Sequence, residues 1–348
     1  MSAPVALGPT RRRQRRAAPP EDGPLVDAFG RVHRDLRLSL TDRCNLRCTY
    51  CMPATGMTFQ HRSEHLRTDE LLAVARVARQ LGVRSVRFTG GEPLLRADVV
   101  AVVEAVAGLG FEDVALTTNG SRLAALAPAL AAAGLHRVNV SCDSLDPERF
   151  ARIRRRGHLG VVLDAMDAAE QAGLGVKVNV VGVVGENDEE VEAFAAFGRD
   201  RRRTVRFIEF MPLDAEEAWE RSLVLPAAEV LERIARCWPL EPVPMTGDPA
   251  PATRYRYLDG RGEVGVIASV TQPFCATCDR LRVTADGAVR NCLFARDELS
   301  VRDVLRQGGG DAEVAALLRR AVWGKRPGHG IDDPSFLRPA RSMSMIGG

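Results

Sequence analysis

Three cysteines, Cys44, Cys48 and Cys51, stand at C-x3-C-x2-C spacing directly after an apolar, strand-like run from Leu36 to Leu40. A loop of eight residues can fold three sulfurs onto one side of a cubic cluster, and it supplies no fourth ligand. A [4Fe–4S] cluster takes four cysteine thiolates, so this loop would leave one iron open to a group that is not protein. Zinc is the alternative, although its cysteine ligands usually come in C-x2-C pairs and no histidine or fourth cysteine lies close by. A second triplet, Cys275, Cys278 and Cys292, has C-x2-C-x13-C spacing and again lacks a fourth sulfur. A zinc knuckle short of one ligand and a second open-iron cluster both fit that pattern. Arg280 and Arg282 follow at once. Two residues apart in an extended segment, they point to the same face, and arginine pairs suit phosphate or purine acceptors.

The elements that would position these groups come in a regular strand–helix beat. Strands are expected at Arg37–Leu40, Ser85–Thr89, Val114–Thr118, Arg137–Ser141, Val176–Val184 and Val205–Phe210. Helices are expected between them: Thr68 to Leu81, stopped at Gly82, then 97–107, 128–134 with Pro128 in its first turn, 161–172 and 188–198. The strands are short, β-branched and without strict alternation, as when helices cover the sheet. Six βα units make this an α/β chain. A partial (β/α)6 TIM-like barrel is the first choice and an open doubly wound sheet the second, with chemistry where strands end and loops begin. There, Gly90-Gly91 would let the backbone approach a ligand closely, and Glu92 could accept a bond from an ammonium group.

From Met211 the beat breaks, and hairpin-like runs follow at 255–268 and 281–293, the latter turning at Asp286-Gly287. The expected organisation is a disordered arm over 1–30, a core over 31–212, a smaller C-terminal unit over 213–340 able to cover the barrel mouth, and a flexible tail over 341–348. The formal net charge is +3, but Arg11, Arg12, Arg13, Arg15 and Arg16 fall in the first twenty residues, leaving the body near −2. The body is therefore no nucleic-acid footprint, and no apolar run reaches membrane-spanning length. With no export signal, clustered cysteines argue for metal ligation in a reducing cytoplasm. Cys142 and Cys237 stand apart as small core residues. Only two of 48 basic residues are lysines, Lys177 and Lys325, so Lys177 within a strand pattern suggests a position chosen for a compact ammonium.

The first loop resembles the signature of radical S-adenosylmethionine (SAM) enzymes, with the aromatic Tyr50 before the last cysteine. Taken with Leu38-Ser39-Leu40-Thr41-Asp42-Arg43-Cys44-Asn45, Thr89-Gly90-Gly91-Glu92-Pro93-Leu94, Leu116-Thr117-Thr118-Asn119-Gly120, Arg206-Phe207-Ile208-Glu209-Phe210-Met211, the second triplet and the Gly347-Gly348 end, the chain is similar to the GTP 3′,8-cyclase family over residues 25–348. It departs in reading Ser141-Cys142-Asp143 where the family usually has Ser-Leu-Asp. The resemblance implies a lyase that makes (8S)-3′,8-cyclo-7,8-dihydroguanosine 5′-triphosphate from GTP through a 5′-deoxyadenosyl radical, in molybdenum cofactor synthesis. It implies two [4Fe–4S] clusters, one on Cys44, Cys48 and Cys51 with SAM on its open iron, and one on Cys275, Cys278 and Cys292 that binds guanine. Tyr50, Gly91, Ser141 and Met211 would contact SAM, and Arg37, Arg87, Thr117, Lys177, Arg280 and Arg282 would contact GTP. Its implied partners are an electron donor and a cyclic pyranopterin synthase receiving the product, with a homodimer admissible. The alternatives are a radical SAM enzyme acting on a peptide and a non-catalytic zinc-binding protein.

Overall fold

Apolar and polar residues alternate along the six central strands, and the two sets face opposite sides of one sheet. The strands are β1 (Asp35–Ser39), β2 (Ser85–Thr89), β3 (Asp113–Thr118), β4 (Arg137–Ser141), β5 (Gly175–Gly182) and β6 (Thr204–Glu209). Each pairs in parallel with the next. Leu36, Leu38, Val86, Phe88, Val138, Val140, Val178, Val180 and Phe207 are buried in the main core. Arg37, Arg87, Thr117, Ser141, Asn179 and Arg206 face the other way, into a chamber. The computed structural model describes residues 18–245, 247 and 249–347. The clustered arginines 11–16 and Gly348 lie outside the described residues.

This alternation departs from the sequence expectation, which read the strands as short, β-branched and without strict alternation. The interior is a ligand-sized space, and many of its inward strand positions carry hydrophilic side chains, although Val181 and Ile208 line it too. Curling is evident in the lining. Arg37 on β1 and Arg206 on β6 line one chamber, although five strand spacings would put them roughly 24 Å apart on a flat sheet. The six strands therefore wrap around the chamber as the partial barrel expected.

The helices on the outer face are α1 (Thr68–Gln80), α2 (Val99–Ala107), α3 (Leu123–Ala132), α4 (Pro147–Arg154), α5 (Leu159–Gln171) and α6 (Val191–Arg201). α3 starts five residues before Pro128, because its buried stripe of Leu123, Ala127 and Leu130 begins there. Proline lies inside this helix rather than in its first turn. Residues from Leu25 onward are already packed: Leu25 is fully buried and Val26 bridges Val32. The well-packed chain thus begins inside the span expected as an arm.

The C-terminal segment adds α7 (Ala227–Cys237), β7 (Leu240–Pro242), β8 (Thr253–Tyr257), β9 (Glu263–Ile267), β10 (Arg280–Val283), β11 (Ala288–Arg290), β12 (Leu299–Ser300), α8 (Val301–Arg306), α9 (Asp311–Trp323) and α10 (Met343–Ile346). Its strands form no separate sheet. β9 pairs in parallel with β6, and β10 pairs in parallel with β1. The order is β12-β11-β10-β1-β2-β3-β4-β5-β6-β9-β8-β7, with the segment's strands at both edges of the barrel's own sheet. This brings the second cysteine triplet onto the same chamber as the first, at the end of the strands where β1 starts rather than where it ends. The tail expected to be flexible forms α10, and Ile346 is buried with Leu213 and Phe294. No helix among the described residues is long and apolar enough to cross a membrane.

Candidate active site

Backbone contacts shape the first cysteine loop. Arg47 N and Thr49 N donate to the carbonyls of Arg154 (3.2 Å) and Ile153 (3.0 Å) at the end of α4, where helical carbonyls lack partners of their own. Gly91 N donates to Thr41 O and Glu92 N to Arg43 O, both at 2.7 Å. A Cβ on Gly90 or Gly91 would lie 2.4 Å from those same carbonyl oxygens, of Thr41 and Arg43 respectively. The two glycines thus admit the cysteine loop as well as facing the chamber. Glu92 is not free for an ammonium group. Fully buried, it accepts from Leu94 N (3.0 Å), the Thr118 hydroxyl (2.7 Å) and Asn119 N (2.7 Å), tying the end of β2 to the end of β3.

One sulfur of this triplet meets a cation: Arg154 Nη1 lies 3.4 Å from Cys48 Sγ. Arg154 is in turn neutralised by Asp143, whose Oδ2 lies 2.8 Å from Nη2 as a charge contact without hydrogen-bond alignment. The Tyr50 hydroxyl donates to the same carboxylate at 2.7 Å, and Val181 N donates to its Oδ1 at 2.9 Å. Burial pushes the Cys44 thiol up to about 11 and Cys51 higher still. These thiols would lose their protons to a bound metal rather than unaided.

The second triplet follows β9, with Cys275 and Cys278 just before β10 and Cys292 just after β11. All three cysteines are partly buried and line the chamber. They also line an outer cavity together with Lys325. Burial alone would raise the Cys278 thiol, but Arg280 and Lys325 outweigh it and bring it down to about 6. Arg280 also sits over the Phe274 ring, 4.6 Å from its centre.

Among the described residues, no three His, Cys, Asp or Glu side chains converge where one ion could be held. A zinc ion needs such convergence at about 2.3 Å per sulfur. A cubic cluster does not, because its thiolates bind different irons. The donor sets fit clusters and disfavour zinc.

Between the two triplets, the chamber is cationic. Arg37, Arg87, Arg137, Lys177, Arg206, Arg280 and Arg282 influence one another, and Asp35 and Asp113 offset them in part. Burial and Arg37 push Arg282 down to about 9, and burial with Arg137 and Arg37 does the same to Arg206. Both guanidiniums remain charged at neutral pH. Burial would raise the Asp35 carboxyl, yet Arg37, Arg87, Arg280 and Arg282 hold it at about 2. Arg87 Nε and Arg206 Nε are buried without a hydrogen-bond partner. Such a cluster is electrostatically unfavourable when empty and suits a polyanion.

Of the residues singled out from sequence, Cys44, Cys48, Cys51, Tyr50, Gly91, Ser141, Met211, Arg37, Arg87, Thr117, Arg280, Arg282, Cys275, Cys278 and Cys292 all line one chamber. Lys177 does not. It lies at the start of β5, two residues before the chamber-lining Asn179, where Arg137, Arg206 and Arg87 surround it. Sequence reading missed Arg206, although a strand arginine two residues before Ile208 follows the same alternation as Arg37 and Arg87. It also missed α4, which carries Arg154. The signal was there: Asp146 caps it (accepting from Arg149 N at 2.7 Å) and Pro147 is its first residue. Gly347 O accepts from Arg282 Nη1 at 2.7 Å, which brings the chain's end to the second triplet's arginine pair.

The family model described as Radical SAM superfamily matches residues 38–198, and the one described as Molybdenum Cofactor Synthesis C matches 203–331. The GTP 3′,8-cyclase of Corynebacterium glutamicum is 46% identical over 344 residues, covering 95% of this chain and 91% of the relative. That of Mycobacterium sp. strain KMS is 50% identical over 335 residues, with 95% and 96% coverage. That of Streptomyces coelicolor is 48% identical over 329 residues, with 93% and 96% coverage. Among solved structures, Streptococcus suis SuiB bound to precursor peptide SuiA aligns with TM-score 0.63 at 13% identity, over 85% of this chain and 68% of that one. Native anSMEcpe with bound AdoMet aligns with TM-score 0.56 at 16% identity, over 87% and 92%. These two likenesses concern the fold alone.

Proposed function

The chain belongs to the GTP 3′,8-cyclase family of radical SAM enzymes, and we propose that its chamber holds SAM and GTP between two three-thiolate cluster sites. As a member, it is a lyase that converts GTP to (8S)-3′,8-cyclo-7,8-dihydroguanosine 5′-triphosphate in molybdenum cofactor synthesis, using SAM and an iron–sulfur cluster. Cys44, Cys48 and Cys51 would hold the first [4Fe–4S] cluster, and Cys275, Cys278 and Cys292 the second. A bound cluster on Cys44, Cys48 and Cys51 would supply one-electron reductive chemistry on SAM, next to which this chain positions GTP.

The chain's own residues bind, orient and exclude water. Tyr50 is fixed by Asp143 where it lines the SAM end, together with Gly91, Ser141 and Met211. Arg37, Arg87, Arg206, Arg280 and Arg282 converge from β1, β2, β6 and β10, so a triphosphate is met from several directions, with Thr117 beside it on β3. Lys177 adds charge from below. Convergence of fixed cations on a polyanion limits the poses that bind. Leu213, Phe294 and Ile346, with Met211 and Met343, form the apolar cluster beside the chamber, which would restrict water where a radical must survive. An external electron donor, a synthase consuming the product, and a second copy of the chain remain part of this proposal rather than of the geometry.

The observation that carries the reading is the opening of both triplets onto one cation-lined chamber. Anaerobically reconstituted protein should contain about eight irons and eight sulfides per chain, as two cubic clusters require. Given a strong reductant, SAM and GTP, it should form deoxyadenosine and the cyclised nucleotide. A peptide substrate, or zinc without sulfide, would refute the reading.

A further inference from the structure

Lys325, one of only two lysines in the chain, lies just beyond α9 and is 3% exposed. Its ammonium reaches four acceptors: Cys278 O at 2.9 Å, His33 Nε2 at 3.0 Å, Arg280 O at 3.1 Å and Cys278 Sγ at 3.3 Å. His33 is fully buried, with Nδ1 3.1 Å from Arg31 O. A carbonyl can only accept, so Nδ1 carries the ring hydrogen and Nε2 accepts from Lys325. The imidazole therefore holds the ammonium in place without adding or cancelling charge. Among the described residues, no carboxylate pairs with Lys325. The lysine borders the outer cavity and not the substrate chamber, so substrate binding does not explain it.

We propose that Lys325, oriented by His33, sets the reduction potential of the cluster on the second triplet by hydrogen-bonding the Cys278 sulfur and leaving one unbalanced positive charge beside it. The inference rests on the reading that this triplet holds a cluster. Reduction adds negative charge, and both a positive neighbour and an N–H···S bond favour the reduced form. Lys325 lies outside the chamber proposed to hold SAM and GTP and is a positioning residue.

The test is an EPR-monitored redox titration of full-length, anaerobically reconstituted protein with iron and sulfide counted. The signal that Cys278→Ala removes belongs to the second site. In Lys325→Met its midpoint should fall by on the order of tenfold in the reduction equilibrium, about 59 mV for a one-electron couple. The first site's potential and the affinity for GTP should not change. If Lys325→Met assembles only one cluster, His33→Ala, which keeps the ammonium but frees it, becomes the variant read. Its expected shift is smaller and in the same direction. An unmoved second-site midpoint in a variant carrying both clusters overturns the inference alone. Wild-type protein with about four irons and one signal instead overturns the two-cluster reading, and the inference with it.

Discussion

Each cysteine triplet sets one sulfur against a buried cation, but the cations are balanced differently. At the first, Arg154 is paired with Asp143, which Tyr50 and Val181 N also hold, so the surroundings of Cys48 are close to neutral. At the second, Lys325 rests on a neutral imidazole and main-chain oxygens, and Arg280 adds a further charge. The difference separates two jobs that one barrel must do. The neutral site lies beside the loop proposed to meet SAM, and the electropositive site lies beside the arginines proposed to meet the nucleotide.

The largest expected effect comes from removing one sulfur at each site. Cys51→Ala should abolish deoxyadenosine formation and cyclisation together. Cys278→Ala should retain part of the deoxyadenosine formation and lose the cyclised product. Chromatography of both products decides this, and equal loss in the two variants would erase the distinction between the sites.

The buried cations should differ in what their loss leaves behind. Arg154→Leu strands the Asp143 carboxylate, 1% exposed, and breaking a buried pair of this kind typically costs about 3–5 kcal/mol. Lys325→Met strands no buried carboxylate and should destabilise less. Denaturant midpoints of the two variants, measured under identical metal loading, check the ranking.

Smaller effects are expected among the nucleotide cations. Arg206→Ala removes a chamber-lining guanidinium and should weaken GTP about ten- to a hundredfold, as losing one charge-assisted contact worth about 1.5–3 kcal/mol implies. Lys177→Ala should weaken GTP less, because Lys177 lies below the lining, and should leave cluster content unchanged. Lys177→Arg should recover part of that loss, its guanidinium being larger and planar. Equilibrium binding of GTP to the three variants gives the order.

The smallest effect is one of pH. Burial, with Arg137, Arg206 and Arg87, lowers Lys177 to about 8. Its ammonium is therefore intact below that pH, and a triphosphate favours the charged form. GTP affinity should decline as pH rises through 8, and this decline should be missing in Lys177→Ala. A variant that keeps the full wild-type decline would assign it to another group.

Much of this was legible in the sequence because it depended on local spacing. The C-x3-C-x2-C loop, the strand ends at Thr89 and Ser141 and the Asp286-Gly287 turn are short-range signals. What stayed hidden depended on distant contacts. The parallel pairing of β10 with β1 and of β9 with β6 joins segments far apart in the chain, so the C-terminal part read as a separate unit. Lys325 could be counted as rare but not placed, because its partners come from His33 and Cys278. Glu92 looked available because the donors that saturate it lie on another strand. The inward-facing row of cations was visible in the alternation of Arg37, Arg87 and Arg206, but reading the strands as lacking strict alternation concealed it.

The division of labour is tested most directly by EPR of the reduced, fully loaded protein, with SAM and GTP added separately. SAM should perturb only the signal that Cys51→Ala removes, and GTP only the signal that Cys278→Ala removes. Both ligands acting on one signal, with the other unchanged, would contradict two open-iron sites facing a shared chamber.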